Sequence, residues 1–159
     1  MSLENPEQFS PEKQKLLDLE STGNYVFHGS DGEIEEFEPR QAHNFIDGEN
    51  HPDGDPAVFA SSVAEYAIFM AIINKTNCSK GHRSSSGTTN GITTYKATQD
   101  TLDQLKEDSS GWVYVFNKDE FENRKEGGVE YTSFANVRPI EKIKVSKIDL
   151  PSDIGIIEE

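Results

Sequence analysis

Two short segments place groups capable of chemistry where a purely structural strand would end differently. In Tyr25-Val26-Phe27-His28-Gly29-Ser30 an apolar run with the aromatic and β-branched character of a buried strand passes directly into an imidazole, a glycine and a hydroxyl. A buried imidazole needs a partner for each ring nitrogen, and glycine lets another backbone come close, so this strand end has the make-up of a pocket floor. A satisfied structural histidine is the plainer reading of His28 taken alone. The second segment is Val129-Glu130-Tyr131-Thr132-Ser133-Phe134, which follows Gly127-Gly128 and opens a strand with a carboxylate. Acids are depleted in strands. Glu130 is therefore either an edge residue with its carboxylate in water or a carboxylate lining a pocket.

Other groups are less pointed. The polar stretch from Gln41 to Pro56 holds His43, Asp47, Glu49, His51, Asp53 and Asp55, with the Gly, Pro and Asp punctuation of a loop. Imidazoles and carboxylates suit divalent ions, and a metal-dependent hydrolase built on His43, Asp47 and His51 in the 40–56 loop is one reading. No HxxxH or DxDxDG register supports it, and a solvated acidic loop over a pocket rim is the simpler reading. Arg40 is a lone cation among acids, suited to a phosphate or to a surface ion pair. From Tyr66 through Gln99 there is no Asp or Glu, while Lys75, Lys80, His82, Arg83 and Lys96 fall inside that span. The run from Lys75 to Lys96, rich in Ser, Gly and Thr, reads as a flexible cationic flap or as an ordinary mobile insertion. If it closes on an anionic ligand, Lys80 and Arg83 are the residues to meet it.

The elements that must position these groups are legible from periodicity. Ser10-Pro11-Glu12 starts a short helix to about Glu20, with Leu16, Leu17 and Leu19 as its apolar stripe. Ala57-Val58-Phe59-Ala60 predicts a buried strand, and Ser61-Ser62 caps a helix that is apolar nearly all round. Tyr66 and Phe69 lie on one face of that helix. Trp112-Val113-Tyr114-Val115-Phe116 is the strongest strand signal, and Ile140 to Leu150 closes the chain in part by alternation with charged residues. Short strands dominate over two or three helices, which predicts an α+β fold.

Composition narrows the partners. The 159 residues carry 29 acids against 15 bases, a net charge of −14. Such a field repels a phosphate backbone, so nucleic acid is disfavoured. Cys78 is the only cysteine, which rules out an intrachain disulfide or a Cys-cluster zinc site. No apolar run reaches membrane-spanning length and no signal-peptide pattern opens the chain, so a cytoplasmic protein without membrane attachment is the expectation.

Taken in order, the His28-Gly29-Ser30 strand end, the Val58-Phe59-Ala60-Ser61-Ser62 strand leading into an aromatic-bearing helix, and the Glu130-Tyr131 strand opening resemble the ADP-ribosyltransferase superfamily. The resemblance is to the His-Tyr-Glu branch of diphtheria toxin and the poly(ADP-ribose) polymerases. It implies a split β-sheet core over residues 23–151, with 1–22 as an N-terminal helical extension and 152–159 as a flexible tail. It also implies NAD as substrate, no metal, and a protein or small-molecule acceptor that the residues do not identify. His28 would bond a ribose, and Gly29 with Ser30 would hold the nicotinamide end. Glu130 would stabilise positive charge as the glycosidic bond breaks. The family's stacking tyrosine aligns nearest Phe69, with Tyr66 one turn earlier as the competing position. Arg40, Lys80 and Arg83, singled out above by their charge, are the cations that could then meet the phosphates. A non-catalytic module holding NAD or ADP-ribose is the alternative. The arginine-modifying branch is not matched, because Gly128 stands where its Glu-x-Glu motif needs an acid. RNA 2′-phosphotransferases are disfavoured by the acidity of the chain.

Overall fold

The computed structural model describes residues 10–158, without the side chains of residues 42–46 and 53–54. Its elements follow as α1 (Pro11–Thr22), β1 (Tyr25–Ser30), β2 (Arg40–Ile46), β3 (Glu49–Ser61) and α2 (Ala64–Ile72). Then come β4 (Ser84–Thr89), β5 (Ile92–Ala97), α3 (Gln99–Asp103), β6 (Ser110–Asn117), β7 (Glu122–Asn123), β8 (Glu130–Ser133), β9 (Glu141–Ser146) and β10 (Ile154–Ile156). The fold is α+β. A larger antiparallel sheet runs β7-β8-β3-β1-β6-β9, with β2 also paired to β3, and a smaller sheet runs β10-β5-β4.

β1 and β6 form the spine of the larger sheet, in unbroken register from Tyr25 opposite Asn117 to Ser30 opposite Trp112. Side chains alternate across a strand, so each strand feeds two cores. Phe27, Val113 and Val115 join α1 and α2 on one face, while Val26, Tyr114 and Phe116 join Phe37, Val58 and Val137 on the other. α2 has Ala64, Ala67, Ile68, Ala71 and Ile72 at 0% exposure, as expected of a helix apolar on most sides. Each of its isoleucines contributes about 1.5–3 kcal/mol by burial.

The sheet accepts α2 through two glycines. A Cβ on Gly29 would lie 1.9 Å from the Ala67 carbonyl oxygen, and one on Gly111 would lie 2.1 Å from that of Ala71. The helix backbone therefore rests directly on the strands, at a separation no side chain permits. The helix start is also not as Ser61-Ser62 predict. Val63 occupies the cap position without a side-chain bond, Ser61 Oγ accepts from the Val63 N–H (3.0 Å), and the Ala64 N–H donates to Glu20 Oε1 (2.8 Å). The cap is thus supplied from the last turns of α1. Burial raises the Glu20 carboxyl above its ordinary value, opposed by the Ala64 bond. α1 itself starts at Ser10 as its cap and seats Leu16 at 0% exposure in the core.

Two expectations are corrected here. The acidic stretch from Gln41 to Pro56 is not a loop but the β2–β3 hairpin, turned by Asp47 and Gly48, both at positive φ. The run from Lys75 to Lys96 is not a flexible flap throughout, since residues 84–97 form the β4–β5 hairpin around Asn90 and Gly91, again both at positive φ. Asp-Gly and Asn-Gly supply the left-handed conformations that two-residue hairpin turns need. The 152–159 segment contains β10. Ile154–Ile156 pairs in parallel with β5, and the Ile157 N–H donates to the Ala97 carbonyl (2.9 Å), so main-chain bonds hold it. Among the described residues no helix is long and apolar enough to cross a membrane.

Candidate functional site

The site forms where the sheet parts. β1 and β3 share the register pair of Phe27 opposite Ser61, and among the described residues no further pair follows toward the end of β1 on that side. Ser61 in turn pairs with Glu130, so Phe27, Ser61 and Glu130 stand in one row across β1, β3 and β8. Over this opening sit the first turns of α2 and the tip of the β4–β5 hairpin. They enclose a cavity of about 390 Å³ whose walls include Phe27, His28, Gly29, Phe59, Tyr66 and Glu130.

His28 is fixed by the split itself. Its Nδ1 lies 2.7 Å from the Phe59 carbonyl oxygen, and its ring meets Phe37 edge-on with centroids 5.0 Å apart. A carbonyl only accepts, so Nδ1 carries the proton and Nε2 of the neutral ring is left as an acceptor. Burial holds the imidazole below its ordinary pKa, the Phe59 bond opposes this, and the Arg40 charge adds to the lowering. The neutral form is thereby favoured, presenting one acceptor nitrogen to a hydroxyl or amide donor.

The two aromatics on α2 separate cleanly. Tyr66 lines the cavity, and its hydroxyl is held protonated by burial and by the nearby charge of Glu130. Phe69 is 1% exposed and packs against the Tyr95 ring at 4.9 Å, in the core. Of the two candidate aromatics, Tyr66 and not Phe69 faces the cavity.

Glu130 enters β8 at the rim with its side chain 52% exposed. Its carboxylate meets Arg124 Nη1 at 3.2 Å, and the same guanidinium lies over the Phe59 ring, 5.4 Å from its centroid. The backbone N–H of Arg124 donates to the Glu130 carbonyl (2.9 Å), tying the two ends of the β7–β8 loop together. Among the described wall residues Glu130 is the one with a formal charge.

The remaining predicted residues lie apart from the cavity wall. Ser30 Oγ accepts from the Gly32 N–H (3.2 Å) and serves the turn after β1. Arg40 is exposed at the start of β2, opposite Ala57, and reaches the site only through its field on His28. The Lys80 N–H donates to the Gln104 side chain (3.0 Å), and the Arg83 N–H to Thr101 Oγ1 (2.9 Å), which places both at the base of the smaller sheet. In their stead the hairpin offers Ser86, Gly87, Thr88 and Thr93, with Thr88 and Thr93 sharing a hydroxyl hydrogen bond of 2.8 Å. The Asn90-Gly91 pair was the signal that could have found this wall. Arg124 had no such signal. Of the residues considered for a metal, His51 faces Glu49 at 3.7 Å and stands opposite Asn44, while the side chains of His43 and Asp53 lie outside the described set. Among the described residues no three His, Cys, Asp or Glu side chains gather into a metal site.

An imidazole, a phenol ring and one carboxylate, from His28, Tyr66 and Glu130, line one cavity of about 390 Å³. Such a set can bind a cationic ring and stabilise positive charge developing beside the carboxylate. Comparison of the chain with family models, curated proteins and solved structures yields no match.

Proposed function

We propose that this protein cleaves the bond between nicotinamide and ribose in NAD and passes the ADP-ribosyl group to an acceptor, as a mono-ADP-ribosyltransferase-like enzyme or NAD glycohydrolase. The observation that carries this is the meeting of His28, Tyr66 and Glu130 at one cavity from three separate segments. On this reading Tyr66 offers its ring to the nicotinamide, and His28 Nε2 accepts from a ribose hydroxyl. Glu130 faces the anomeric carbon. When the C1′–N bond breaks, its electron pair leaves with the nicotinamide nitrogen, and the ribose carries positive charge until the acceptor oxygen or nitrogen adds and loses its proton. A carboxylate placed for that moment stabilises the transition state more than the bound substrate. Cytoplasmic residence and the absence of a required metal belong to the same proposal.

One observation favours the non-catalytic alternative, an NAD- or ADP-ribose-binding module. Glu130 is half exposed and ion-paired with Arg124, which offsets the charge catalysis would use. Incubation with NAD and assay of released nicotinamide separates the two. Release above the uncatalysed rate supports the enzyme, and binding without release supports the module.

A further inference from the structure

The Arg124–Glu130 pair bears on which substrates the site accepts, and this inference rests on the nicotinamide reading above. Arg124 meets the Glu130 carboxylate at 3.2 Å and the Phe59 ring at 5.4 Å, and both of these groups belong to the cavity wall. The guanidinium therefore stands at the mouth, beside the residue expected to face the ribose. Its side chain is 34% exposed and that of Glu130 52%, so the pair lies where water screens it and its rupture costs little. A guanidinium presents a planar fork that matches a phosphate as well as a carboxylate, and the cation–π contact with Phe59 gives it a second attachment to the cavity wall. Lys80 and Arg83, the cations first expected to meet phosphates, are not among the described residues that line the cavity.

We infer that Arg124 is the anion-recognising residue of this site: it holds Glu130 in the free protein and passes to a phosphate of the bound nucleotide, releasing Glu130 to the ribose. A phosphate-bearing substrate thus loosens the restraint on the carboxylate that acts on it. A nucleoside without phosphate leaves the Arg124–Glu130 pair closed. The substrate class is accordingly nicotinamide nucleotides, with the phosphate nearest the ribose as the recognised group.

The test is equilibrium titration of the whole chain with NAD, nicotinamide mononucleotide and nicotinamide riboside, on the parent, Arg124→Ala and Arg124→Lys. Thermal melting confirms that each variant is folded. The parent should favour the two nucleotides over the riboside. Arg124→Ala should weaken both nucleotides by roughly 10- to 100-fold, the range of a charge-assisted hydrogen bond, while riboside affinity stays within about twofold. Arg124→Lys should fall between, keeping charge but not the fork. Added salt should shrink the nucleotide preference of the parent and not of Arg124→Ala. Equal weakening of all three ligands, or unchanged nucleotide affinity in Arg124→Ala, would overturn the role of Arg124 and leave the nicotinamide site standing. A parent that binds none of the three would overturn the site and the Arg124 role together.

Discussion

His28 and Phe59 are joined by a hydrogen bond of 2.7 Å, imidazole Nδ1 to carbonyl oxygen, across the point where β1 and β3 cease to pair. The bond turns a break in the sheet into a fixed tautomer. A backbone carbonyl left by the parting strands is satisfied by the one side chain that then offers its second nitrogen to the cavity.

This relationship sets a pH dependence. The His28 pKa is lowered from 6.5 in the folded protein, chiefly by burial. Below that value the unfolded chain takes up a proton that the folded protein resists. The stability contributed by neutral His28 is complete above the unfolded value and is lost as pH falls through the folded one. Melting temperature measured from neutral to mildly acidic pH should fall more steeply for the parent than for His28→Gln. Parallel curves for the two proteins would show that His28 titrates as a solvated residue.

Gly29 is expected to act first through packing. A Cβ there meets the Ala67 carbonyl at 1.9 Å, and at Gly111 that of Ala71 at 2.1 Å. Neither obstacle is a flexible side-chain end. Gly29→Ala and Gly111→Ala should each destabilise by about 3 kcal/mol or more, read by chemical denaturation. A fully stable Gly29→Ala that lost only ligand binding would mean that α2 yields readily and that the glycine serves the ligand alone.

Tyr66 and Phe69 should part company experimentally as they do in space. Phe69→Ala empties a core position and is expected to cost about 3–5 kcal/mol of stability. Tyr66→Ala should leave folding within about 1–2 kcal/mol of the parent while weakening NAD binding about tenfold, through loss of a stacking face. The reverse pattern would move the stacking position to Phe69.

How much of this could be read in advance follows from where each signal resides. The strands Tyr25–Ser30 and Ser110–Asn117 and the apolar helix Ala64–Ile72 announce themselves because burial imposes a period on their residues. β4 escapes because residues 85–89 are all exposed, and an exposed strand has no apolar alternation to display. Its composition resembles a linker, and the Asn90-Gly91 turn that defines it is two residues long. The β2–β3 hairpin likewise rests on a two-residue turn, Asp47-Gly48. His28 and Glu130 stand out as residue types unsuited to their strands. Arg124 does not, since its meaning depends on Phe59 and Glu130 across the cavity mouth. The cap on α2 is equally hidden, because Glu20 lies 44 positions from the amide it accepts.

The central claim is that Glu130 acts on the nicotinamide–ribose bond, and Glu130→Gln tests it most directly. The substitution keeps shape and hydrogen-bonding capacity and removes the charge. Nicotinamide release from NAD and NAD affinity should be measured together on parent and variant. The expected result is affinity within a few-fold of the parent and release slower by roughly 10²-fold, the loss typical of one electrostatic group that serves the transition state. Release undiminished in Glu130→Gln, or a parent that neither binds nor cleaves NAD, would contradict the account.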